Sequence, residues 1–316
     1  KEVKGLGKGD TAMLEKYQVM EEPTDKQKAK IVELEAKKIK TTVLTENQQL
    51  ELDTYTSYRD NPLDHITLSK GAKTVLRKMR REIKFKRRKE LKSKYLKKGI
   101  ELEEKAITFL SKHHNDVFTN NTERRFSEFF SGESDVEEGY DTKVAYELDT
   151  LPDVEESLKT IYEYQDRVYM ILWDKEQWTT STIIMNMLDD QMVKEIYGEV
   201  WKWQPEDIPD WRKIEIIKHY IYDEENFIRL CKFNDCMPDL AEYARQLESG
   251  DVDELLEKAC DMFQDFVEIP DHERIVEKTV YRDKDIEAAM NKIAELSRKY
   301  MQDIENEMFE IYESKL

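Results

Sequence analysis

One stretch, residues 132–152, constrains the fold more than any other, because a short turn within it is flanked by charged residues. Read as a β-hairpin, its loop is the three-residue sequence Glu-Glu-Gly at 137–139. Gly139 takes the last loop position, where a left-handed backbone is needed. This register pairs Val136 with Tyr140. The sequence therefore predicts an antiparallel hairpin whose strands meet on either side of the Glu-Glu-Gly loop.

The same register places Asp135 directly opposite Asp141. Directly opposed residues have Cβ atoms about 5 Å apart, and opposed like charges destabilise a hairpin. A divalent cation held between the two carboxylates would reverse that effect. Lys143 lies two residues beyond Asp141 and so projects from the same face of the strand. Two carboxylates and an ammonium suit metal-assisted attack on a phosphodiester, although the hairpin alone is equally compatible with a polar surface.

Charge is divided unevenly along the 316-residue chain, whose formal net charge is −18. The segment Lys70–Lys98 holds fifteen Lys and Arg residues against two Glu, a local charge of +13, so the rest of the chain carries −31. Clustered cations bind polyanions by releasing counterions, which favours phosphate binding over a merely solvated helix face. The DNA-binding candidates in the segment are Lys73, Arg77, Arg80, Arg81, Lys84, Arg87 and Arg88.

Composition excludes several classes of protein. The chain has no run of eighteen apolar residues, the length that a membrane-spanning helix needs, and no signal peptide is recognisable. Three cysteines do not make a disulfide framework, which fits a reducing cytoplasm. The glycines at residues 5–10 lack phosphate-loop spacing, so no nucleotide is expected. Cys231 and Cys236 could form half of a zinc site, but the sequence offers no second pair of ligands, so we expect no zinc there.

Periodicity predicts helices on both sides of the hairpin. In one of them, opened by Gly99, Glu103 lies beside the apolar positions Ile107 and Leu110, where an acid costs desolvation unless a cation pairs with it. Ser69 is the expected cap of the basic helix. The further predicted helices are 24–40, 45–58, 153–173, 191–203, 211–233, 237–248, 251–267 and one from residue 283; the predicted strands outside the hairpin are 124–130, 178–187 and 274–281.

Four short motifs follow one another in a fixed order. They are Gly99-x-x-x-Glu103, Asp135, Asp141-x-Lys143 and Gln165-x-x-x-Tyr169. Gln165 and Tyr169 share a helix face, and without the other motifs they would be a partly buried polar pair. The order resembles the PD-(D/E)XK nuclease superfamily, and more closely its phage lambda-exonuclease and YqaJ-type, RecB-like branch. The resemblance is strongest over residues 68–187.

The resemblance implies a role for each matching position. Asp135, Asp141 and the backbone carbonyl of Thr142 would be ligands of Mg²⁺ or Mn²⁺, and Glu103 would contact the metal or its water. Lys143 would orient the attacking water or stabilise the charged phosphorane. The pair at 165 and 169 would brace the site and the nearby DNA backbone. The implied fold is an α/β (α+β) restriction-endonuclease-like core, a small mixed sheet flanked by helices, with helical N- and C-terminal additions.

The chain departs from the family pattern at three positions. Asp141 replaces the commoner Glu, Ser134 stands where Pro often precedes the first Asp, and Tyr146 stands where a Trp is expected in the phage relatives. Some RecB-like relatives use four cysteines for an iron–sulfur cluster. This chain has three, all after the site, so we expect no such cluster.

The leading expectation is a Mg²⁺-dependent exonuclease that acts on duplex DNA ends in phage recombination. The alternatives are an endonuclease or single-strand nuclease on the same fold, or a catalytically silent DNA-binding module. A single-strand annealing protein and further copies of the chain are the expected partners, in a bacterial host cytoplasm and without a membrane. We expect a helical extension at 1–65, a nuclease core at 66–190, and a mostly helical part at 191–316 that completes the domain.

Overall fold

The structure, a computed structural model, describes residues 46–198 and 208–313. The predicted helix at 24–40, the first residue of the helix predicted at 45–58 and the glycines at 5–10 lie outside these ranges. The helices are α1 Glu46–Asp60, α2 Lys70–Phe85, α3 Lys94–His114, α4 Thr160–Trp173, α5 Asp189–Tyr197, α6 Asp210–Tyr220, α7 Glu224–Phe233, α8 Leu240–Ser249, α9 Glu254–Gln264 and α10 Lys284–Glu313. The strands are β1 Arg125–Phe126, β2 Ser131–Gly132, β3 Tyr140–Ala145, β4 Gln177–Ile184 and β5 Ile275–Tyr281.

A three-stranded mixed sheet in the order β3-β4-β5 forms the centre of the fold. Strand β4 runs parallel to β3 and antiparallel to β5. Its sequence is rich in β-branched and apolar residues, which suits a strand covered on both faces. The predicted strands at 178–187 and 274–281 are confirmed within a few residues, as is the mixed α/β class.

The sheet register decides which side chains share a face. Asp141 lies beside Thr180 and Lys143 beside Thr182, whereas Thr142 lies beside Ser181 on the opposite face. The face with Asp141 is covered by α4, through an apolar cluster around the buried indole of Trp178. The other face is covered by α3, whose buried Ala106 and Leu110 pack on Ile183 and Ile275.

The C-terminal helices form a second apolar cluster beside the sheet. It is built from buried side chains of α5, α6, α7 and α9, among them Ile196, Ile214, Phe227 and Leu230. In the described parts of the chain, no helix combines the length and the apolar character needed to cross a membrane.

The basic segment is not the continuous helix that its composition suggests. Ser69 caps α2 as predicted, by accepting a hydrogen bond from the amide of Ala72. The helix ends where Lys86 takes a left-handed backbone (φ 51°), and Ser93 caps α3 after an irregular stretch. Gly99 therefore lies inside α3 and does not open it, because the side chain of Ser93 supplies an earlier start signal.

Three other element predictions need correction. The predicted strand 124–130 is interrupted and forms the two short strands β1 and β2. The helix expected from Asp153 begins at Thr160, and a short 3₁₀ turn at 148–150 precedes it. The helix expected over 211–233 is divided into α6 and α7, because the side chain of Asp223 caps a new helix. The other predicted helices that fall within the described residues are present, with different ends; the predicted end of the helix at 191–203 lies outside those residues.

Candidate active site

The predicted hairpin turn is present. Val136 and Tyr140 form an antiparallel bridge, and Gly139 has a positive φ of 107°. A side chain at this position would be strained, which explains the glycine. The bridge is isolated and residues 133–135 form no strand, so the turn is confirmed, whereas the strand pairing of Asp135 with Asp141 stays a prediction.

The carboxylate of Asp135 is held by the opposing strand. Its Oδ2 accepts hydrogen bonds from the backbone amide and from the hydroxyl of Thr142, both at 3.0 Å. Asp135 is 2% exposed, so these charge-assisted bonds replace water as its donors. The two donors fix the carboxylate beside the strand that carries the Asp-x-Lys triplet.

Asp141 is fully buried and forms an ion pair with Lys143. Within the described residues, neither of its carboxylate oxygens accepts a hydrogen bond. The ammonium of Lys143 also approaches the carbonyl oxygen of Thr142 at 3.4 Å and lies 5.4 Å from the centre of the Tyr162 ring. The lysine charge therefore lies against two oxygen groups that the family resemblance would make metal ligands.

Glu103 is half-buried on α3, the helix that packs against β3. The helix runs antiparallel to the strand, because Lys98 bonds Tyr146 at one end and the ring of His114 lies 5.2 Å from that of Tyr140 at the other. Glu103 is five residues from Lys98, a rise of about 7.5 Å, which corresponds to roughly two strand residues. This places it level with residues 143–144 of β3.

Gln165 and Tyr169 form a buried relay beneath the hairpin. The side-chain amide of Gln165 donates to the Tyr169 hydroxyl at 2.8 Å, and that hydroxyl donates to the carbonyl of Glu133 at 2.9 Å. Each residue is 3% exposed, so neither is open to a DNA backbone, which corrects that part of the expectation. The backbone at Gly132 lies close to the Tyr169 ring, since a Cβ atom at this position would be only 2.9 Å from the ring.

Asp166 was not identified from the sequence. It is fully buried on α4, and its Oδ2 accepts a hydrogen bond from the hydroxyl of Thr180 at 2.8 Å. Burial raises the pKa of Asp166 to about 7, while the Thr180 bond and the nearby charge of Lys143 act in the opposite direction. Its spacing from the apolar helix positions Tyr162, Tyr169 and Met170 is the signal that could have revealed an acid on a buried face.

The basic segment is divided by the structure into buried and open cations. Arg80 is 7% exposed and pairs with Glu305 of α10 at 3.6 Å. Lys73 and Arg77 lie over the Tyr300 ring of the same helix. Arg77 is nevertheless exposed, as are the remaining candidates of the segment: Arg81, Lys84, Arg87 and Arg88. Arg80 thus belongs to the packing of α2 on α10, which corrects its assignment to a phosphate-binding surface.

The C-terminal end of the segment is also engaged within the protein. Lys94 and Lys97 pair with acidic residues of α5, and Lys98 is fully buried with its ammonium 2.7 Å from the Tyr146 carbonyl. Burial lowers the pKa of Lys98 to about 7. The open cations therefore concentrate at the end of α2 and in the irregular stretch before α3.

Comparison with known proteins gives one structural likeness. Neither a scan against protein-family models nor a search of curated proteins finds a match. Among solved structures, a phage-related exonuclease from Haemophilus somnus 129PT matches with a TM-score of 0.50 and 21% sequence identity. The match covers 77% of this chain and 86% of that protein. The chain therefore shares its fold with a nuclease.

Proposed function

We propose that this chain is a metal-dependent DNA exonuclease that hydrolyses phosphodiester bonds at duplex DNA ends. The observation that carries the proposal is the placement of the Lys143 ammonium against the Asp141 carboxylate and the Thr142 carbonyl. The fold it shares with a phage-related exonuclease supports the same reading. The order of motifs agrees with a PD-(D/E)XK site.

The residues around the hairpin fit a divalent cation. Asp141 presents two buried oxygens that accept no hydrogen bond from the described residues, and a cationic group already lies against them. Thr142, the neighbour of Asp141, holds the Asp135 carboxylate beside the strand, and the Thr142 carbonyl would supply a third oxygen group. Oxygen donors of this kind suit Mg²⁺ or Mn²⁺. These three residues would hold the ion, with Glu103 contacting it or its water.

The chemistry divides between the ion and the protein. A bound divalent cation makes coordinated water more acidic and neutralises charge on phosphoryl oxygens. Lys143 then supplies a fixed positive charge beside the phosphate, where it orients the attacking water or stabilises the phosphorane. Because its position is set before DNA arrives, this charge needs no reorganisation during the reaction. Tyr169 and Gln165 hold the backbone at Glu133 and act as positioning residues for the hairpin.

The exposed cations of α2 and the following stretch give the DNA a place to bind. Arg81, Lys84, Arg87 and Arg88 are open to solvent on an otherwise acidic chain. Confining positive charge to one region steers a polyanion towards it and away from the rest of the surface. The phosphate contacts would then be concentrated at the N-terminal approach to α3, the helix that carries Glu103.

The biological setting of the proposal is DNA processing in a phage. Its partners would be duplex ends and a single-strand annealing protein in the cytoplasm of a bacterial host, with homo-oligomers as a further assembly. The proposed division of the chain keeps its nuclease core at 66–190. Strand β5 pairs with β4 of that core, which supports a C-terminal part that completes the domain.

End-labelled linear duplex DNA and closed circular duplex DNA, each with and without Mg²⁺, distinguish the alternatives. An exonuclease degrades the linear DNA, leaves the circle intact and requires the metal. Cutting of the circle would instead identify an endonuclease, and degradation confined to single strands a single-strand nuclease. Retention of labelled DNA without cleavage would identify a silent binding module and overturn the proposal.

A further inference from the structure

We propose that His113, His114 and Glu277 form a second metal site, separate from the hairpin carboxylates, which takes a transition-metal ion such as Zn²⁺. The nitrogen and oxygen atoms that these side chains can offer all lie within 4.8 Å of one another. Two imidazoles and one carboxylate are a donor set that Zn²⁺ takes in proteins, with a fourth position left for water. Mg²⁺ prefers oxygen donors, so the two sites select different ions.

The fold brings the three residues together from distant parts of the chain. The two histidines are the last residues of α3, and Glu277 lies in the middle of β5. In the sheet register Glu277 is beside Ser181, on the face that α3 covers. Asp141 projects from the opposite face. The sheet therefore separates the histidine site from Asp141 and Lys143, whereas Glu103 lies on the same helix as the two histidines.

The spacing already approaches that of a coordinated ion. His114 Nε2 lies 3.0 Å from Glu277 Oε1. Ligand atoms on a tetrahedral zinc ion, with bonds of about 2.0 Å, are about 3.3 Å apart. The ring centres of His113 and His114 are 5.2 Å apart, and His113 is exposed. Because His113 is exposed, a rotation of its side chain would complete the set.

Neighbouring groups hold two of the ligands in place. The hydroxyl of Ser181 donates to Glu277 Oε1 at 2.7 Å. The ring of His114 packs against Tyr140 at 5.2 Å and Phe118 at 5.8 Å. Hydrogen bonds and packing from outside the ligand set orient metal ligands and raise affinity. His114 and Glu277 are both half-buried, whereas His113 faces solvent, so an ion can enter from the surface.

A bound ion would join the end of α3 to the outer strand of the sheet. The same helix carries Glu103 and packs against Tyr140 and Val144 of β3. An ion at its end would therefore stabilise the helix that supports this strand without contacting Asp135 or Asp141. The role that follows is structural: the ion locks helix and strand together, and the stability of the whole chain rises with its concentration.

Titration of the metal-stripped full chain with Co²⁺, in excess Mg²⁺ and without any added histidine tag, tests the site directly. We expect a visible absorption band typical of a four-coordinate Co²⁺ complex, lost when Zn²⁺ is added. His114→Ala and Glu277→Gln should weaken binding roughly tenfold or more. His113→Ala should do the same at a position too exposed to affect folding. His272→Ala is the matched control, because His272 is an exposed histidine beside an acid, Glu273, outside the cluster.

Two results would overturn the proposal. The first is wild-type Co²⁺ affinity in both His113→Ala and Glu277→Gln. The second is loss of the signal in Asp141→Asn with retention in Glu277→Gln, which would locate the ion at the hairpin instead. Thermal melting with and without Zn²⁺ provides an independent measurement, since the rise in wild-type Tm should be absent in His113→Ala.

Discussion

Thr142 donates two hydrogen bonds to the same oxygen of Asp135, one from its backbone amide and one from its hydroxyl, each 3.0 Å long. Thr142, the residue between Asp141 and Lys143, therefore positions the Asp135 carboxylate. It turns its hydroxyl away from the face of its two neighbours and fixes the opposing carboxylate. This pair and the Val136–Tyr140 bridge together hold the segment before the turn against β3.

Thr142→Val removes the hydroxyl while keeping the shape of the side chain and the amide bond. A hydrogen bond to a charged group contributes about 1.5–3 kcal/mol, so we expect unfolding free energy to fall by that amount and Mn²⁺ affinity to fall with it. Urea unfolding and Mn²⁺ titration measure the two effects. Thr179→Val is the control, because Thr179 is on the same sheet face and its hydroxyl pairs with Thr279. Equal Mn²⁺ affinity in the two variants would contradict the assignment.

Mg²⁺ or Mn²⁺ should raise the melting temperature of the wild-type chain. A ligand that binds only the folded state at a hundred times its Kd contributes about 2.7 kcal/mol. Asp141→Asn removes one buried carboxylate, so its melting temperature should not respond to Mg²⁺, the ion that the proposed histidine site does not take. Calorimetric scans across a range of metal concentrations make the comparison. A wild-type chain that shows no response at saturating metal would exclude a cation shared by the hairpin carboxylates.

Replacing Arg81, Arg87 and Arg88 with Gln should weaken DNA binding and reduce its salt dependence. Each lost phosphate contact lowers the slope of log K against log salt by about 0.9 for duplex DNA. Arg80→Gln is the matched contrast, since Arg80 is buried against Glu305. That variant should lose stability and keep the wild-type slope. Binding isotherms at several salt concentrations would reject the surface if the triple variant also kept the slope.

The lowered pKa of Lys98 predicts that the unfolding free energy rises at alkaline pH. Burial lowers the pKa of Lys98 to about 7 in the folded chain, whereas an unfolded lysine titrates near 10.4. Between these values the unfolded chain binds a proton that the folded chain does not, so unfolding free energy increases with pH. From pH 7 to 9.5 this contributes on the order of 2–3 kcal/mol, which Lys98→Met should lack. Urea unfolding of both proteins at the two pH values tests it, and parallel changes would contradict the lowered pKa.

The hairpin shows what local sequence signals can predict. The glycine at 139, the bridge between Val136 and Tyr140, and the face shared by Asp141 and Lys143 follow from turn geometry and strand alternation alone. The Ser69 cap is equally local. Such features depend on a few adjacent residues, so the pattern predicts them without knowledge of the rest of the fold.

The features that sequence reasoning missed depend on distant packing. Lys98 belongs to a basic run, yet it is buried because α3 lies against the end of β3 at Tyr146. Arg80 is buried because α10, more than two hundred residues later, packs on α2. Asp166 becomes a buried acid only where α4 covers Thr180. From composition alone, each of these three charged residues is expected at the surface. Their burial depends on contacts between elements that are far apart in the chain.

We propose that Lys143 supplies the fixed charge that acts on the transition state. An interaction made mainly in the transition state affects rate more than binding. Lys143→Ala should therefore lose on the order of 3 kcal/mol or more of barrier lowering and keep DNA affinity near the wild-type value. Lys143→Arg should not restore the rate, because the planar guanidinium cannot replace a compact ammonium against Asp141 and the Thr142 carbonyl. Glu103→Gln should give a partial defect that depends on metal concentration.

Single-turnover cleavage of end-labelled duplex DNA, measured beside equilibrium DNA binding, is the most direct test. Lys278→Ala is the control, since Lys278 projects from the same sheet face on β5. If Lys143 supplies the catalytic charge, we expect loss of cleavage in Lys143→Ala, wild-type cleavage in Lys278→Ala, and similar DNA binding in both. Cleavage by Lys143→Ala at the wild-type rate would contradict it and leave the hairpin without a catalytic role.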